Sequence, residues 1–183
     1  MAAFSISSFR SALAGGVHAN LFKFSLTFED TISAVTDADA NFVTNFSALG
    51  KSGAIPAMTL GIIEVPFRGR RAKIPGDRSF GEWTATFINT ADQKFRAGFE
   101  AWATYIASNN YDETDGVISE KSDTDYKCTI QIDQLGDDGE ALRTYKLISA
   151  FPTEISAIDL SYDTVDAIEE FSVTFQYSYF ELE

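Results

Sequence analysis

The chain has 183 residues, a formal net charge of −13 at neutral pH and an aromatic content dominated by phenylalanine. This length suits one domain with its own core, and the acidic balance argues against the usual nucleic-acid binder, which neutralises phosphates with lysine and arginine. The apolar runs are too short to cross a bilayer, the N-terminus lacks a secretory pattern, and one cysteine, Cys128, allows no internal disulfide, so we expect no membrane or oxidising compartment.

The N-terminal segment differs in composition from the rest of the chain. Residues 1–19 are small with unevenly spaced apolar side chains, and we expect an N-terminal arm or a short helix there. Residues 20–183 are expected to form a single β domain. Within it, residues 21–29 alternate strictly, with Phe24 and Leu26 among the apolar set, which predicts a half-buried strand.

The next segments predict a loop and three further strands. Residues 30–41 are small and polar and predict a loop, whereas residues 42–49 predict a strand that ends at the glycines of residues 50–53. Residues 58–65 and 67–74 predict two more strands, and the proline between them indicates a bend or a sheet edge.

A turn and another strand are predicted before the main helix. Pro75-Gly76-Asp77 has turn chemistry, because proline presets φ, glycine tolerates positive φ and aspartate accepts local hydrogen bonds. Residues 80–88 then predict a strand with Trp83, Ala85 and Phe87 on its apolar face.

An amphipathic helix follows. Thr90 is a candidate N-cap with Gln93 as its capping-box partner, and the helix is expected to end near residues 108–110. Four apolar side chains share one helical stripe and predict the face that packs on the sheet. They are Phe95, Phe99, Trp102 and Ile106.

The chain from residue 111 to 153 predicts a loop and a hairpin. Residues 111–125 are acidic and polar, which predicts a long surface loop. Residues 126–135 and 142–151 predict paired strands joined by Asp137-Asp138-Gly139, a hairpin signal, and Phe151-Pro152-Thr153 predicts a corner.

The C-terminal part predicts two more strands. Residues 157–162 predict a short one, and residues 168–180 predict the last and longest. The inward side chains of that strand are expected to be Phe171, Val173, Phe175, Tyr177 and Tyr179. Together the elements predict a mainly β protein, an antiparallel sandwich or barrel with one packed helix.

The charges are unevenly distributed along the chain. Residues 112–140 are acidic, and a solvated face is the simpler interpretation for them. A basic cluster lies earlier, beside glycine and proline, and we interpret it as a contact surface, since opposite charges can meet either within the monomer or between neighbouring copies. It comprises Arg68, Arg70, Arg71, Lys73 and Arg78, interrupted by Asp77. Our hypothesis is that the cluster meets acidic residues of a neighbouring copy, and reversing the charges at Arg70 and Arg71 is then expected to impair assembly of the copies.

No pattern in the sequence indicates catalysis. His18 is the only histidine and lies in the expected arm, so neither a histidine metal cluster nor a histidine-based triad is favoured. Gly50-Lys51-Ser52-Gly53 lacks the earlier glycine of a phosphate-binding loop. Asp137-Asp138 and Glu169-Glu170 fit no calcium loop and are better explained by a turn and a strand entry. We therefore expect neither an enzyme nor a cofactor.

Several ordered motifs resemble one protein family from about residue 20 to the end. The most specific is the stretch from Ile74 to Phe80 with Trp83-Thr84-Ala85-Thr86. Weaker matches in the same order are Asn20-Leu21-Phe22, Asn89, Gln93-Lys94-Phe95 with Phe99 and Trp102, Phe151-Pro152-Thr153 and Glu170 to Phe175. Together they resemble the tail tube proteins of contractile-tailed bacteriophages.

The resemblance implies a structural role in a virion. It implies homo-hexameric rings, their sheets completed between subunits, stacked into a hollow tube inside a contractile sheath. It also implies baseplate and tail terminator proteins as partners, assembly in the host cytoplasm and transient passage of double-stranded DNA. Closure of the sheets between subunits would remove exposed strand edges.

A bore that does not bind phosphates suits the passage of DNA better than a basic one, because DNA carries about one charge per 1.7 Å of axis. We hypothesise that uncharged side chains on the polar strand faces line the bore, and that lysine there would slow ejection. The candidates are Ser25, Thr27, Thr84, Thr86, Ser172, Thr174, Gln176 and Ser178.

Two alternatives remain open at this point. One is the inner tube of a type VI or extracellular contractile injection system, which passes protein effectors. The other is a virion-displayed β-sandwich binding module, which would need an exposed aromatic platform. Trp83 and Trp102 both lie on apolar faces, which disfavours the second alternative.

Overall fold

The computed structural model describes residues 6–13, 16–28, 32–107, 126–163 and 165–183. Within these ranges the chain forms strands and helices with the following bounds. The strands are β1 (Phe22–Phe28), β2 (Gly50–Gly53), β3 (Met58–Phe67), β4 (Arg70–Phe80), β5 (Trp83–Ile88), β6 (Cys128–Leu135), β7 (Ala141–Ile155), β8 (Glu170–Gln176) and β9 (Tyr179–Leu182). The helices are α1 (Ile6–Leu13), α2 (Ser33–Ala38), α3 (Phe42–Ala48) and α4 (Lys94–Ile106).

The strands form one large sheet and one separate hairpin. The large sheet has seven strands in the order β1-β6-β7-β8-β5-β2, with β9 added beside β7. All of its pairs are antiparallel, which confirms the predicted fold class. Among the described residues, strands β3 and β4 pair with each other and with no further strand.

Strand β7 belongs to both halves of the large sheet. Its first part pairs with β6 and β9, and its last residues pair with β8. Ser149, with φ of 58°, lies just before the change of partner. The predicted corner at residues 151–153 is therefore wrong as a strand end, because the strand continues through it to Ile155.

An aromatic core lies between the two halves of the sheet and the helices. The ring of Phe24 on β1 meets Trp83 on β5 edge-on, with 5.3 Å between centroids. On α4, Phe95, Phe99 and Trp102 are fully buried, and Ile106 packs against them partly buried. Helix α4 therefore closes one side of the sheet, and its apolar stripe faces the core.

Two short helices replace a predicted loop and a predicted strand. Residues 30–41 contain α2, and residues 42–49 contain α3. Phe42 and Phe46 are both buried, one helical turn apart, which a strand would not place on one face without burying residue 44 as well. The strand prediction was wrong because so short an apolar pattern fits either period, and the loop prediction was wrong because small polar composition does not exclude a short helix.

The start of α4 also differs from the prediction. The helix begins at Lys94, and Gln93 stands at its N-cap in the left-handed region with φ of 54° and no side-chain cap. The capping box between Thr90 and Gln93 is therefore wrong. The predicted helix end near residues 108–110 and the predicted loop at residues 111–125 lie outside the described residues.

The predictions for the hairpin and for the C-terminal strands were also partly wrong. Pro75-Gly76-Asp77 lies inside β4, and the turn falls at Arg68 and Gly69, whose φ values are 45° and 81°. Residues 157–162 form no strand, and the last predicted strand is split into β8 and β9. Tyr179 is exposed rather than inward, and the longest strand is β7, with 15 residues.

A substitution at Gly53 tests the close packing between β1 and β2. A Cβ added there would lie 2.6 Å from Cζ of Phe24, so Gly53→Ala is expected to destabilise the fold by about 1–3 kcal/mol through overpacking. Urea denaturation monitored by tryptophan fluorescence measures the change. Gly81→Ala is the control, since no atom lies within 4 Å of its added Cβ, and equal destabilisation of both variants would contradict the explanation.

Candidate assembly surfaces

The β3–β4 hairpin extends from the rest of the fold. Its two strands have 10 and 11 residues, with a register shift between Leu60 and Ile62. At its base the ring of Phe80 lies 5.4 Å from that of Phe180 and 6.1 Å from that of Tyr177. Burial raises the pKa of Tyr177, because the phenolate would lose its hydration there.

Large apolar side chains are exposed on both faces of the hairpin. Ile62 and Ile63 are neighbours in β3 and so point to opposite faces, yet they are 65% and 54% exposed. An isolated two-stranded ribbon is marginally stable in water, and exposed apolar patches of this kind mark contact sites. The exposed set comprises Met58, Leu60, Ile62, Ile63, Val65, Phe67 and Ile74.

The predicted inter-subunit residues all lie on this hairpin. Arg71 donates from Nη1 to Oε2 of Glu64 at 2.7 Å, and Nζ of Lys73 lies 4.0 Å from Oε1 of the same carboxylate. The Arg68 guanidinium lies 5.5 Å from the centre of the Phe67 ring at the tip. Arg70, Asp77 and Arg78 are exposed along β4, and within the described ranges they form no ion pair. The structure therefore presents exposed cations beside exposed apolar groups.

A second surface is a neutral polar face on β5 and β8, here called the hydroxyl face and formed by Thr84, Thr86, Ser172, Thr174 and Gln176. Two hydroxyl pairs link the strands: Thr84 with Thr174 and Thr86 with Ser172, each at 3.1 Å between oxygens. Gln176 extends the row by donating from Nε2 to Oε1 of Glu82 at 2.9 Å. Cross-strand pairs of this kind hold the side chains in place.

Ser25 and Thr27 do not belong to that face. Their neighbours Phe24 and Leu26 are buried, and Phe24 packs against Trp83 of β5. Strands β1 and β5 thus face each other across the core, and their polar sides point away from it in opposite directions. Seven of the eight predicted lumen residues therefore fall on two opposite sides of the fold, and the eighth, Ser178, lies beyond the end of β8.

The side chains considered as catalytic or metal-binding candidates make structural contacts. Nε2 of His18 lies 3.7 Å from Oδ1 of Asp137, with both side chains exposed, and Asp138 accepts from the Glu140 N–H in the turn. Cys128 is buried and donates from Sγ to the carbonyl of Ala150. Lys51 pairs with Glu170.

Two further findings concern the described residues only. No group of three or more His, Cys, Asp or Glu residues within these ranges is placed to hold a metal ion. None of the helices in the same ranges combines the length and the apolar character that a membrane span requires.

The apolar side of the hairpin surface was not predicted from the sequence. The cations were singled out, whereas Leu60, Ile62 and Ile63 fell within residues 58–65, which were predicted only as a strand next to a bend or a sheet edge. A signal for this surface was present in the sequence. The apolar run of β3 is followed by a strand, β4, that carries five charged residues between Arg70 and Arg78 and pairs with it.

Comparison with known proteins decides the family. Residues 17–183 match the model of the phage tail tube protein family. The chain belongs to this family. The resemblance to tail tube proteins of contractile-tailed phages is thereby confirmed, and the chain has a structural role in a phage tail tube. Phage tail tube proteins are components of the virion.

Individual relatives agree with the family. The chain is 28% identical over 138 residues to tail tube protein gp19 of Enterobacteria phage T4, covering 75% of this chain and 82% of that protein. It is 25% identical over 140 residues to the tail tube protein of Serratia phage KSP90, covering 76% of each. A sheath–tube complex of the extracellular contractile injection system PVC contains a chain with the same fold, with a TM-score of 0.63, 17% identity and 99% coverage of both chains.

Proposed function

We propose that this tail tube protein assembles into homo-hexameric rings that stack into the hollow inner tube of a contractile phage tail. Double-stranded DNA passes through the tube during ejection, and the protein acts as a structural wall rather than an enzyme. The observation that carries the proposal is the β3–β4 hairpin, whose apolar side chains are exposed on both faces of a two-stranded ribbon.

The hairpin supports assembly because its exposed state is costly for a lone subunit. Burying an apolar side chain of this size stabilises a contact by about 1.5–3 kcal/mol. A hairpin that inserts between neighbouring subunits removes both apolar faces from water and places its cations against acidic surfaces of an otherwise strongly acidic protein. The predicted contact residues, from Arg68 to Arg78, then lie at the boundary between copies.

The hydroxyl face is our proposed bore. A ring turns one side of each subunit toward its axis, so only one of the two opposite polar faces lines the bore. The hydroxyl face presents uncharged side chains from Thr84 to Gln176 and is flanked by Glu82 and by the Lys51–Glu170 ion pair, whereas the face that carries Ser25 carries Lys23 and Lys146 within it. A neutral wall does not hold phosphates, which permits passage of DNA.

The partners follow from the position of a tube in a contractile tail. We propose a sheath around the tube, a baseplate and a tail terminator at its ends, and assembly in the host cytoplasm. The solved complex with the same fold pairs a tube with a sheath, which supports the first of these partners. Membership in a phage family favours DNA over protein effectors as the cargo.

Negative-stain microscopy of the purified protein tests assembly. We expect rings with sixfold symmetry or hollow rods, increasing with protein concentration. A monomer that forms neither at high concentration, measured in parallel by analytical ultracentrifugation, would overturn the proposed function.

The bore assignment has its own test. Thr84→Lys with Thr174→Lys places cations on the hydroxyl face, and virions built from this variant are expected to eject DNA about tenfold more slowly at low salt, because phosphates bind lysine. Ser25→Lys with Thr27→Lys is the matched control on the opposite face. Fluorescence of a DNA-binding dye follows ejection. Slower ejection from the control alone, or equal rates from both variants, would remove this assignment.

A further inference from the structure

A second exposed apolar segment connects β7 to β8. Residues 157–169, here called the acidic loop, have no regular secondary structure where the structure describes them. Leu160 is 82% exposed and Val165 83% exposed, Tyr162 is fully exposed and Ile168 is 72% exposed. So many large apolar side chains on one short loop mark a contact surface that a single subunit leaves uncovered.

The charge of this loop is opposite to that of the hairpin. The loop carries Asp159, Asp163, Asp166 and Glu169 and contains neither lysine nor arginine. The three aspartates are exposed, and within the described ranges they form no ion pair. The hairpin from Met58 to Phe80 has five basic residues against two acidic ones, Glu64 and Asp77.

The base of the acidic loop is held in place. Ile158 is half-buried against the core, and the Ser156 carbonyl accepts from Nη1 of Arg96 at 3.1 Å. Oγ of Ser156 also accepts from the Ser172 N–H at 2.9 Å. A loop anchored at its start presents its exposed side chains with a smaller entropy cost on binding.

We propose that the acidic loop is the surface that receives the basic hairpin of a neighbouring copy. The inference rests on the proposed function and names the partner of the hairpin within the tube. The exposed apolar groups of the two segments cover each other, and the aspartates pair with Arg70 and Arg78, which have no ion-pair partner among the described residues.

The β6–β7 turn is the other described acidic segment, and it fits the hairpin less well. It carries Asp137, Asp138 and Glu140, but Asp137 already lies 3.7 Å from His18. The exposed apolar side chains around the turn, Leu13, Val17 and Leu142, come from separate parts of the chain rather than from one continuous segment. A partner with seven exposed apolar residues needs apolar surface as well as charge. The turn therefore serves as the matched control.

A charge exchange tests the pairing. Asp159→Lys with Asp163→Lys is expected to reduce the amount of tube by about tenfold or more, and adding Arg70→Glu with Arg78→Glu to the same chain is expected to restore it in large part. Asp137→Lys with Asp138→Lys should form tubes as the wild type does. Microscopy and sedimentation measure tube mass, and circular dichroism confirms that each subunit is folded.

Crosslinking provides a second, independent readout. Chains with Phe67→Cys are co-assembled with chains of different mass that carry Leu160→Cys, and mild oxidation is expected to produce the mixed dimer. Replacing the second variant by Thr104→Cys, on the exposed side of α4, should not. Cys128 is buried and is present equally in all samples.

The outcomes separate this inference from the proposed function. Tubes that form normally with the Asp159 and Asp163 variant, or a charge exchange that restores nothing while no mixed dimer forms, would overturn the inference and leave the tube intact. Normal tubes that have lost sheath binding would assign the loop to the sheath instead. Wild-type protein that forms no tubes would overturn both.

Discussion

Reversing the charges of Arg70 and Arg78 to glutamate is expected to prevent long tubes from forming while the subunit stays folded. Both side chains are exposed on β4 and lie outside the ion pairs of the hairpin, so their loss removes contacts to other copies rather than contacts within the strand pair. Arg71 is less suitable, because it already bonds to Glu64 across the hairpin.

The expected size of the effect on assembly is large because the altered contact is repeated at every subunit of the polymer. Losing about 1.4 kcal/mol at each subunit contact raises the concentration needed for assembly about tenfold, and two reversed charges per hairpin exceed that. Sedimentation across a concentration series measures this threshold, and microscopy reports tube length. Added salt should narrow the difference, because screening weakens charge repulsion.

A control variant carries the same change in net charge elsewhere. Lys23→Glu with Lys94→Glu alters two exposed cations outside the hairpin and should leave the assembly threshold close to that of the wild type. Normal-length tubes from the Arg70 and Arg78 variant would remove the hairpin from the assembly contacts. An equal loss in both variants would show that net charge, rather than this surface, governs assembly.

Phe99→Ala is expected to cause the largest loss of stability of a single subunit, about 3–5 kcal/mol. The Phe99 ring is fully buried and lies 4.8 Å from that of Phe42, 5.6 Å from that of Phe87 and 5.8 Å from that of Phe171. It therefore joins α4 to α3 and to both β5 and β8. Truncation leaves a cavity that all of these elements share.

Urea denaturation at concentrations below the assembly threshold measures this loss without a contribution from tube contacts. Thr104→Ala on the exposed side of the same helix is the control and is expected to change the free energy of unfolding by less than about 0.5 kcal/mol. A loss below about 1 kcal/mol for Phe99→Ala would mean that the helix is not a central part of the core.

The strands predicted most accurately are those with one buried face and one solvent-exposed face. In β1 and β5 the more buried side chains alternate with the more exposed ones, so a period of two is visible in the sequence itself. The apolar stripe of α4 was predictable for the corresponding reason, since Phe95, Phe99 and Trp102 recur at helical spacing over about two turns.

The errors arose where local chemistry competes with distant pairing. Pro75-Gly76-Asp77 has the composition of a turn, yet β4 continues through it because Pro75 pairs with Ile62 and Arg78 with Leu60 across the hairpin. The real turn lies at Arg68 and Gly69, within the basic cluster. Cross-strand pairing over the length of the ribbon outweighs the preference of three residues.

The sequence alone determined the β class, the packed helix, the location of the basic cluster and the resemblance to tail tube proteins. These depend on periodicity, composition and ordered motifs, which are local properties of the chain. Only the tertiary structure decided that the hairpin stands apart with both faces exposed, and that Ser25 and Thr84 lie on opposite sides of the core. Alternation tells which side chains of a strand avoid the core, but the direction in which they point depends on the order of strands that are distant in the chain.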